Sequence, residues 1–221
     1  MPPAPSLIPR PFLMTPHGLV RRRTVGAVLV AVPAWCLGAR AQPAPVLRAT
    51  PAQTEGPFYP LAFPKDSDSD LLHNGALVYP EGQACWLEGS VINLAGRPLA
   101  GAQVEIWQCD QTGHYHHPGD GGRADARFQG FGRFTVAADG RYRFRTIRPA
   151  AYSGRTPHIH LKIRLGGREL LTTQVYVADD PGNPRDFLWR SLSAADRAAL
   201  TVVFAPGDDG LRASFPIVID V

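Results

Sequence analysis

Ala151-Tyr-Ser-Gly-Arg-Thr-Pro-His-Ile-His160, continued by Leu161-Lys-Ile-Arg-Leu165, is the stretch whose periodicity decides the fold. Pro157 has no N–H to give to a ladder and suits a strand entrance. The residues after it alternate with the two-residue period of a half-buried strand. His158 and His160 are therefore expected on one face. Two imidazoles presented together by a stiff backbone form half of a metal site, because neutral imidazole is the commonest nitrogen ligand in proteins. Taken alone, the pattern equally describes a strand with a polar outer face. Tyr152, six residues before His158, adds a phenol to the same decapeptide.

Outward from this strand the pattern stays all-β. A Gly166-Gly167 turn leads to a strand over residues 168–177. Upstream, residues 132–136 and 141–147 flank Ala137-Ala-Asp-Gly140 as an expected hairpin, with Tyr142, Phe144 and Thr146 on one face and three arginines on the other. Residues 86–93 and 102–108 flank a second turn-rich connection and read as another hairpin. Further strands are expected within residues 201–204 and 213–221. One short C-terminal helix is expected over residues 193–200, where Ser193 and Asp196 fit a capping box. The fold class is a β-sandwich of mainly antiparallel strands with an N-terminal arm.

Charge is distributed unevenly. Residues 1–41 hold Arg10, Arg21, Arg22, Arg23 and Arg40 and no acid; removing those five from the chain's 23 basic residues leaves 18 against 19 acidic ones. The remainder is near neutral and lacks the basic footprint of a nucleic-acid binder. The leader has an arginine-bearing start, a short apolar run from Thr24 and an Ala39-Arg40-Ala41 cleavage pattern, so it reads as an export signal that leaves no membrane anchor. The arginine triplet before a weakly apolar segment points to the twin-arginine route and the periplasm, with an ordinary secretory signal as the alternative. Residues 42–84 read as an extended arm and residues 85–221 as the sandwich domain. Lys65-Asp-Ser-Asp-Ser-Asp70 reads as a solvated loop, without the glycine and glutamate of an EF-hand. Cys85 and Cys109 are equidistant from a turn near Arg97, which leaves a disulfide and two buried thiols both open.

A second feature is Trp107-Gln-Cys-Asp-Gln-Thr-Gly-His-Tyr-His-His-Pro118, which leaves a strand and delivers Tyr115 into a loop. Tyr115 and Tyr152 with His158 and His160 form a set of hard-to-borderline donors. Two anionic oxygens favour a trivalent over a divalent ion, so Fe(III) is the candidate; zinc more often takes Cys, His or carboxylate.

Six ordered motifs carry a family resemblance: Thr54-Glu-Gly-Pro-Phe-Tyr59, Gly101-Ala-Gln-Val-Glu-Ile-Trp-Gln108, Gly113-His-Tyr115, Asp139-Gly-Arg-Tyr-Arg-Phe-Arg-Thr-Ile-Arg-Pro149, Arg155-Thr-Pro-His158-Ile-His160 and Thr173-Gln-Val-Tyr176. Together they resemble the intradiol ring-cleavage dioxygenases, most of all the protocatechuate 3,4-dioxygenase type. The resemblance implies that Tyr115, Tyr152, His158 and His160 ligate a mononuclear non-haem Fe(III). It implies that Arg155 stabilises the ring as it becomes ketonised, that Gln174 is the active-site glutamine and that a tyrosinate ligand, Tyr152, doubles as a base. Tyr59 and its arm would lie near the mouth of the pocket. The implied reaction is O2-dependent opening of a catechol-type ring to a cis,cis-muconic acid derivative. One departure is plain: only five residues separate Tyr152 from His158, where protocatechuate enzymes carry a longer Trp-containing insertion, so the substrate pocket must differ. Two other classes stay open on the residues, a non-catalytic transthyretin-like binding module and a periplasmic copper- or zinc-binding protein using His114, His116 and His117. Substrate identity and homo-oligomerisation also stay open.

Overall fold

The two-residue alternation of apolar side chains builds two sheets whose inner faces meet. The structure, a computed structural model, describes residues 46–221; the leader assigned to residues 1–41 lies outside them. The arm carries a two-strand hairpin, β1 (His73–Asn74) with β2 (Leu77–Val78). There follow β3 (Ala84–Asn93), β4 (Gln103–Trp107), β5 (Phe131–Thr135), β6 (Arg141–Ile147), β7 (His158–Leu165) and β8 (Arg168–Val177). Helices α1 (Phe187–Ser191) and α2 (Ala194–Leu200) precede β9 (Thr201–Val202), β10 (Ala205–Gly207), β11 (Gly210–Ser214) and β12 (Ile217–Ile219).

In the first sheet β3 is the spine. It pairs antiparallel with β6 on one edge, and parallel with β11 and then β12 on the other, with β10 outside β11. The second sheet has the order β5-β4-β7-β8-β9 and is antiparallel except for the last pair. Leu87, Val91, Phe144 and Ile147 of the first sheet and Val104, Ile106, Ile159, Leu161 and Ile163 of the second are fully buried between them. This is the expected all-β sandwich.

Two expected hairpins do not form, although their strands do. β3 and β4 belong to different sheets, and so do β5 and β6. Each strand has one strongly apolar face that must meet the opposing sheet, so the glycine-containing connections act as corners between layers. The symmetric spacing of Cys85 and Cys109 therefore loses its basis. Both thiols are free and buried, and burial pushes each up to about 12. The hairpin of β7 with β8 forms as expected, and Ser193 caps α2 by accepting from the Asp196 N–H. The five-residue α1 was not expected; Asp186 caps it by accepting from the Trp189 N–H.

The outer face of the second sheet decides where chemistry can occur. Glu105, Trp107, His158, His160, Lys162, Gln174 and Tyr176 are all buried there, on the side away from the core. The arm covers them. The Gln53 N–H donates to the Thr172 carbonyl (2.8 Å), Thr173 Oγ1 donates to the Pro51 carbonyl (2.7 Å), and Gln174 Nε2 donates to the Thr54 carbonyl (2.9 Å).

Where β3 passes its edge from β11 to β12, Phe215 turns inward, with its N–H donating to the Glu88 carbonyl (2.8 Å) and its carbonyl accepting from Tyr142 Oη (2.6 Å). A Cβ added to Gly89 would stand 2.1 Å from that carbonyl oxygen. Gly89→Ala is expected to cost about 1–3 kcal/mol of stability through overpacking, read as a lower chemical-denaturation midpoint. An unchanged midpoint would show that the Phe215 segment moves aside freely.

Candidate metal centre

Strand pairing sets the first half of the site. His160 lies opposite Trp107 on β4 and Gln174 on β8, and His158 lies opposite Tyr176, so these side chains form two adjacent rows on one face. The Trp107 indole stacks on the His160 ring at 4.8 Å between centroids and 9° between planes. Both histidines are 1% exposed. His158 Nδ1 lies 2.6 Å from the Thr156 carbonyl; a carbonyl only accepts, so the imidazole proton is on Nδ1 and the Nε2 lone pair is free. That atom lies 3.2 Å from His160 Nε2.

Two tight turns bring the phenols to the imidazoles. Tyr152-Ser-Gly-Arg155 is a two-residue turn with positive φ at both Ser153 (43°) and Gly154 (77°), closed by the Arg155 N–H donating to the Tyr152 carbonyl (2.7 Å). This is the I′ geometry, which sets the two flanking residues side by side. Tyr115 is placed by carboxylates. Asp110 Oδ1 accepts from the Thr112 and His114 N–H groups (2.9 and 3.0 Å), and Asp120 Oδ2 accepts from the Tyr115 N–H (2.7 Å). Gly113, at φ 85°, then passes so close to the Tyr152 segment that an added Cβ would meet the Ala151 carbonyl at 2.9 Å. Tyr115 and Tyr152 meet edge to face at 4.9 Å, and Tyr152 lies 5.3 Å from the His158 ring.

The four residues expected as ligands thus converge. Arg155 and Gln174 stand beside them: Arg155 Nη2 donates to Gln174 Oε1 (2.8 Å), and Arg155 Nε donates to Asp186 Oδ2 (2.7 Å). Tyr59 does not touch the phenols or imidazoles as a ligand would. Its hydroxyl donates to the buried Glu105 (2.7 Å), which also accepts from Arg133. Its ring lies under Lys162 Nζ at 3.8 Å, and Lys162 in turn pairs with Glu55 and Glu169. Phe58 is the arm residue at the centre, stacked on Tyr115 at 4.7 Å. His114, His116 and His117 do not share a point: they bond respectively to Asp120, the Asp125 carbonyl and the Gly119 N–H. Among the described residues no group of three or more His, Cys, Asp or Glu side chains converges on a metal position; the candidate set depends on phenols.

The donors fit a cation. Tyr115 Oη is buried without a hydrogen-bond partner among the described residues. The two Nε2 atoms stand 3.2 Å apart, close enough to serve one ion. Burial and the nearby Arg155 guanidinium push His158 down to about 4, and burial with His158 and Arg155 as neighbours pushes His160 well below its usual range. Both rings are therefore neutral donors at pH 7. Burial pushes both phenols up, Tyr115 strongly, while Arg155 pulls Tyr152 the other way. A cleft of about 340 Å³ is bounded by Tyr152, Arg155, Thr156, Asp180 and Arg185.

Asp186, Trp107, Phe58 and Lys162 were not singled out from the sequence. Only Asp186 had a usable signal, since a buried arginine needs a counter-charge and Asp before an apolar Phe-Leu-Trp run suits a helix cap.

A family model described as Dioxygenase matches residues 54–221. The hydroxyquinol 1,2-dioxygenase of Rhodococcus opacus is 32% identical over 151 residues, covering 60% of this chain and 48% of that protein. The catechol 1,2-dioxygenase of Acinetobacter baylyi is 32% identical over 159 residues, covering 64% of this chain and 50% of that protein. The chain thus spans about half the length of these relatives. The solved dioxygenase domain of a dioxygenase and carbohydrate-binding fusion from Streptomyces sp. SirexAA-E superposes with a TM-score of 0.63 at 32% identity, over 79% of this chain and 99% of that domain.

The buried neutral imidazoles make stability depend on pH. Unfolded histidine takes up a proton near 6.5, whereas folded His158 does so only near 4. The unfolded state therefore binds more protons between these values. Stability is full above the upper one and falls as pH drops toward the lower. Metal-stripped protein is expected to show a lower urea midpoint at pH 5 than at pH 7.5, and His158→Leu to weaken that dependence. A flat profile would contradict the burial of neutral histidines.

Proposed function

The chain belongs to the intradiol ring-cleavage dioxygenases, and from that premise we propose that it opens a catechol-type ring with O2, using Fe(III) held by Tyr115, Tyr152, His158 and His160. The observation that supports this reading is the clustering of the two imidazoles, Nε2 to Nε2 3.2 Å apart, with an unpartnered buried phenol and a second phenol at the edge of a cleft. Fe(III) bound there would lower the pKa of both catechol hydroxyls and accept electron density from the ring as O2 attacks.

The chain's own residues divide the remaining work. Tyr115 lies deep, enclosed by Phe58, Tyr152 and His160. Tyr152 borders the cleft and is the phenol that can turn outward and take a substrate proton at Oη. Arg155 presents Nη1, the guanidinium nitrogen with no hydrogen bond among the described residues, while Nε and Nη2 are occupied. Its fixed positive charge suits the negative charge that develops on a ring oxygen during cleavage. Gln174 holds Arg155 through Oε1 and the arm through Nε2, tying the catalytic arginine to the cover over the site. Tyr152 and Arg155 border the cleft, and the ring enters past them. The product is a cis,cis-muconic acid derivative.

The arginine-rich leader supports export through the twin-arginine route to the periplasm, a route that carries already folded protein. The near-neutral remainder supports a small-molecule rather than a nucleic-acid partner.

Purified protein is expected to contain about one iron per chain and to be red to burgundy from tyrosinate-to-Fe(III) charge transfer. Tyr152→Phe should shift or bleach that colour, and His158→Ala should lose iron and oxygen uptake on a panel of catechols. A colourless, iron-free protein inert toward every catechol would instead support the non-catalytic binding module.

A further inference from the structure

We propose that Asp186 is the positioning residue for Arg155, fixing the edge of the guanidinium offered to the ring; this rests on the ring-cleavage reading above. Asp186 is 1% exposed and the Arg155 side chain 10%. Asp186 Oδ2 accepts from Arg155 Nε at 2.7 Å and from the Thr156 N–H at 2.9 Å, while Oδ1 accepts from the Trp189 N–H at 2.9 Å. The two main-chain donors belong to the start of α1 and to the β7 entrance. The carboxylate is thus seated by the backbone and acts as a fixed template for the arginine.

The guanidinium is planar and rigid, so two contacts suffice to orient it. Asp186 takes Nε, and Gln174 takes Nη2 at 2.8 Å, with Tyr176 Oη at 3.5 Å. Nη1 is left without a hydrogen bond among the described residues, on a side chain that borders the cleft together with Tyr152. Without Asp186 one of the two contacts is lost, and a buried cation loses its nearest counter-charge. The helix cap uses Oδ1 and the arginine uses Oδ2, so the two tasks can be separated by substitution. Although burial opposes it, hydrogen bonds from the Trp189 N–H, Arg155 and the Thr156 N–H hold the Asp186 carboxyl below its usual range, which keeps it a carboxylate.

The test is a double-mutant cycle in iron-loaded full-length protein. Asp186→Ser keeps a good helix cap but cannot reach Arg155, and Asp186→Asn keeps the side-chain size if Asp186→Ser does not fold. Each is combined with Arg155→Ala. Asp186→Ser is expected to lower kcat roughly 10- to 100-fold with a much smaller change in KM and an unaltered iron absorption band. In the Arg155→Ala background it should change kcat by less than about twofold. Wild-type kcat in Asp186→Ser and Asp186→Asn, or an undiminished loss in the Arg155→Ala background, would overturn the proposal. Anaerobic affinity for 4-nitrocatechol is measured on the same four proteins. If wild type opens no catechol, the ring-cleavage reading fails on its own. The absorption band of the anaerobic 4-nitrocatechol complex, which reads the charge beside the bound ring, then decides Asp186: a band shift in Asp186→Ser that vanishes in the Arg155→Ala background upholds its action through Arg155, and an equal shift in both backgrounds refutes it.

Discussion

Burial of a polar sheet face beneath an extended arm is the constraint on which the site depends. In a two-layer sandwich the outer faces normally meet water, and polar side chains there need no protein partners. Here the arm excludes water from the outer face of β4, β7 and β8, so each polar group must find a partner or remain unsatisfied at a cost of about 1–3 kcal/mol. Glu105 is met by Tyr59 and Arg133, Lys162 by Glu55 and Glu169, and Gln174 by Thr54 and Arg155. Among the described residues, Tyr115 Oη, His160 Nδ1 and Trp107 Nε1 are not met by protein. The fully paired groups are the clamp, and unpaired Tyr115 Oη belongs to the candidate centre. A buried polar network is most stable when complete, which is why its gaps are informative.

The same arm links anchoring to chemistry over a few residues. Glu55 and Tyr59 bind charged side chains of the sheet, and between them Gly56 and Phe58 rest against His160 and Tyr115. Gly56 has φ 74° and its added Cβ would lie 3.3 Å from His160 Cε1. The backbone thus approaches the imidazole in a conformation that glycine adopts without strain. The site is a sandwich face closed by a strap.

The short Tyr152 turn changes the meaning of the sequence motif around it. A ligand candidate and the arginine three residues later become neighbours across a two-residue reversal, so the phenol and the guanidinium occupy the same wall of the cleft. Departure from the longer insertion expected of protocatechuate enzymes leaves this wall bordered by Asp180 and Arg185 from the segment after β8.

The sequence by itself determined the strand identities, the shared face of His158 and His160, the α2 cap and the four residues, Tyr115, Tyr152, His158 and His160, that the fold brings together. Each rests on local physics: side-chain period, turn chemistry, capping and the preferences of donor atoms. The sequence misled where a turn-rich connection was taken for a hairpin. A glycine-rich link between two alternating strands is equally compatible with pairing in one sheet and with a corner between two, and with it fell the spacing argument for a Cys85–Cys109 bridge. Only the tertiary structure decided that β3 and β4 part company, that Asp186 grips Arg155 across 31 positions, and that Lys162, alternating with apolar residues like any surface lysine, is buried under Tyr59. Those outcomes depend on which outer face the arm covers, a long-range packing choice that leaves no period in the chain.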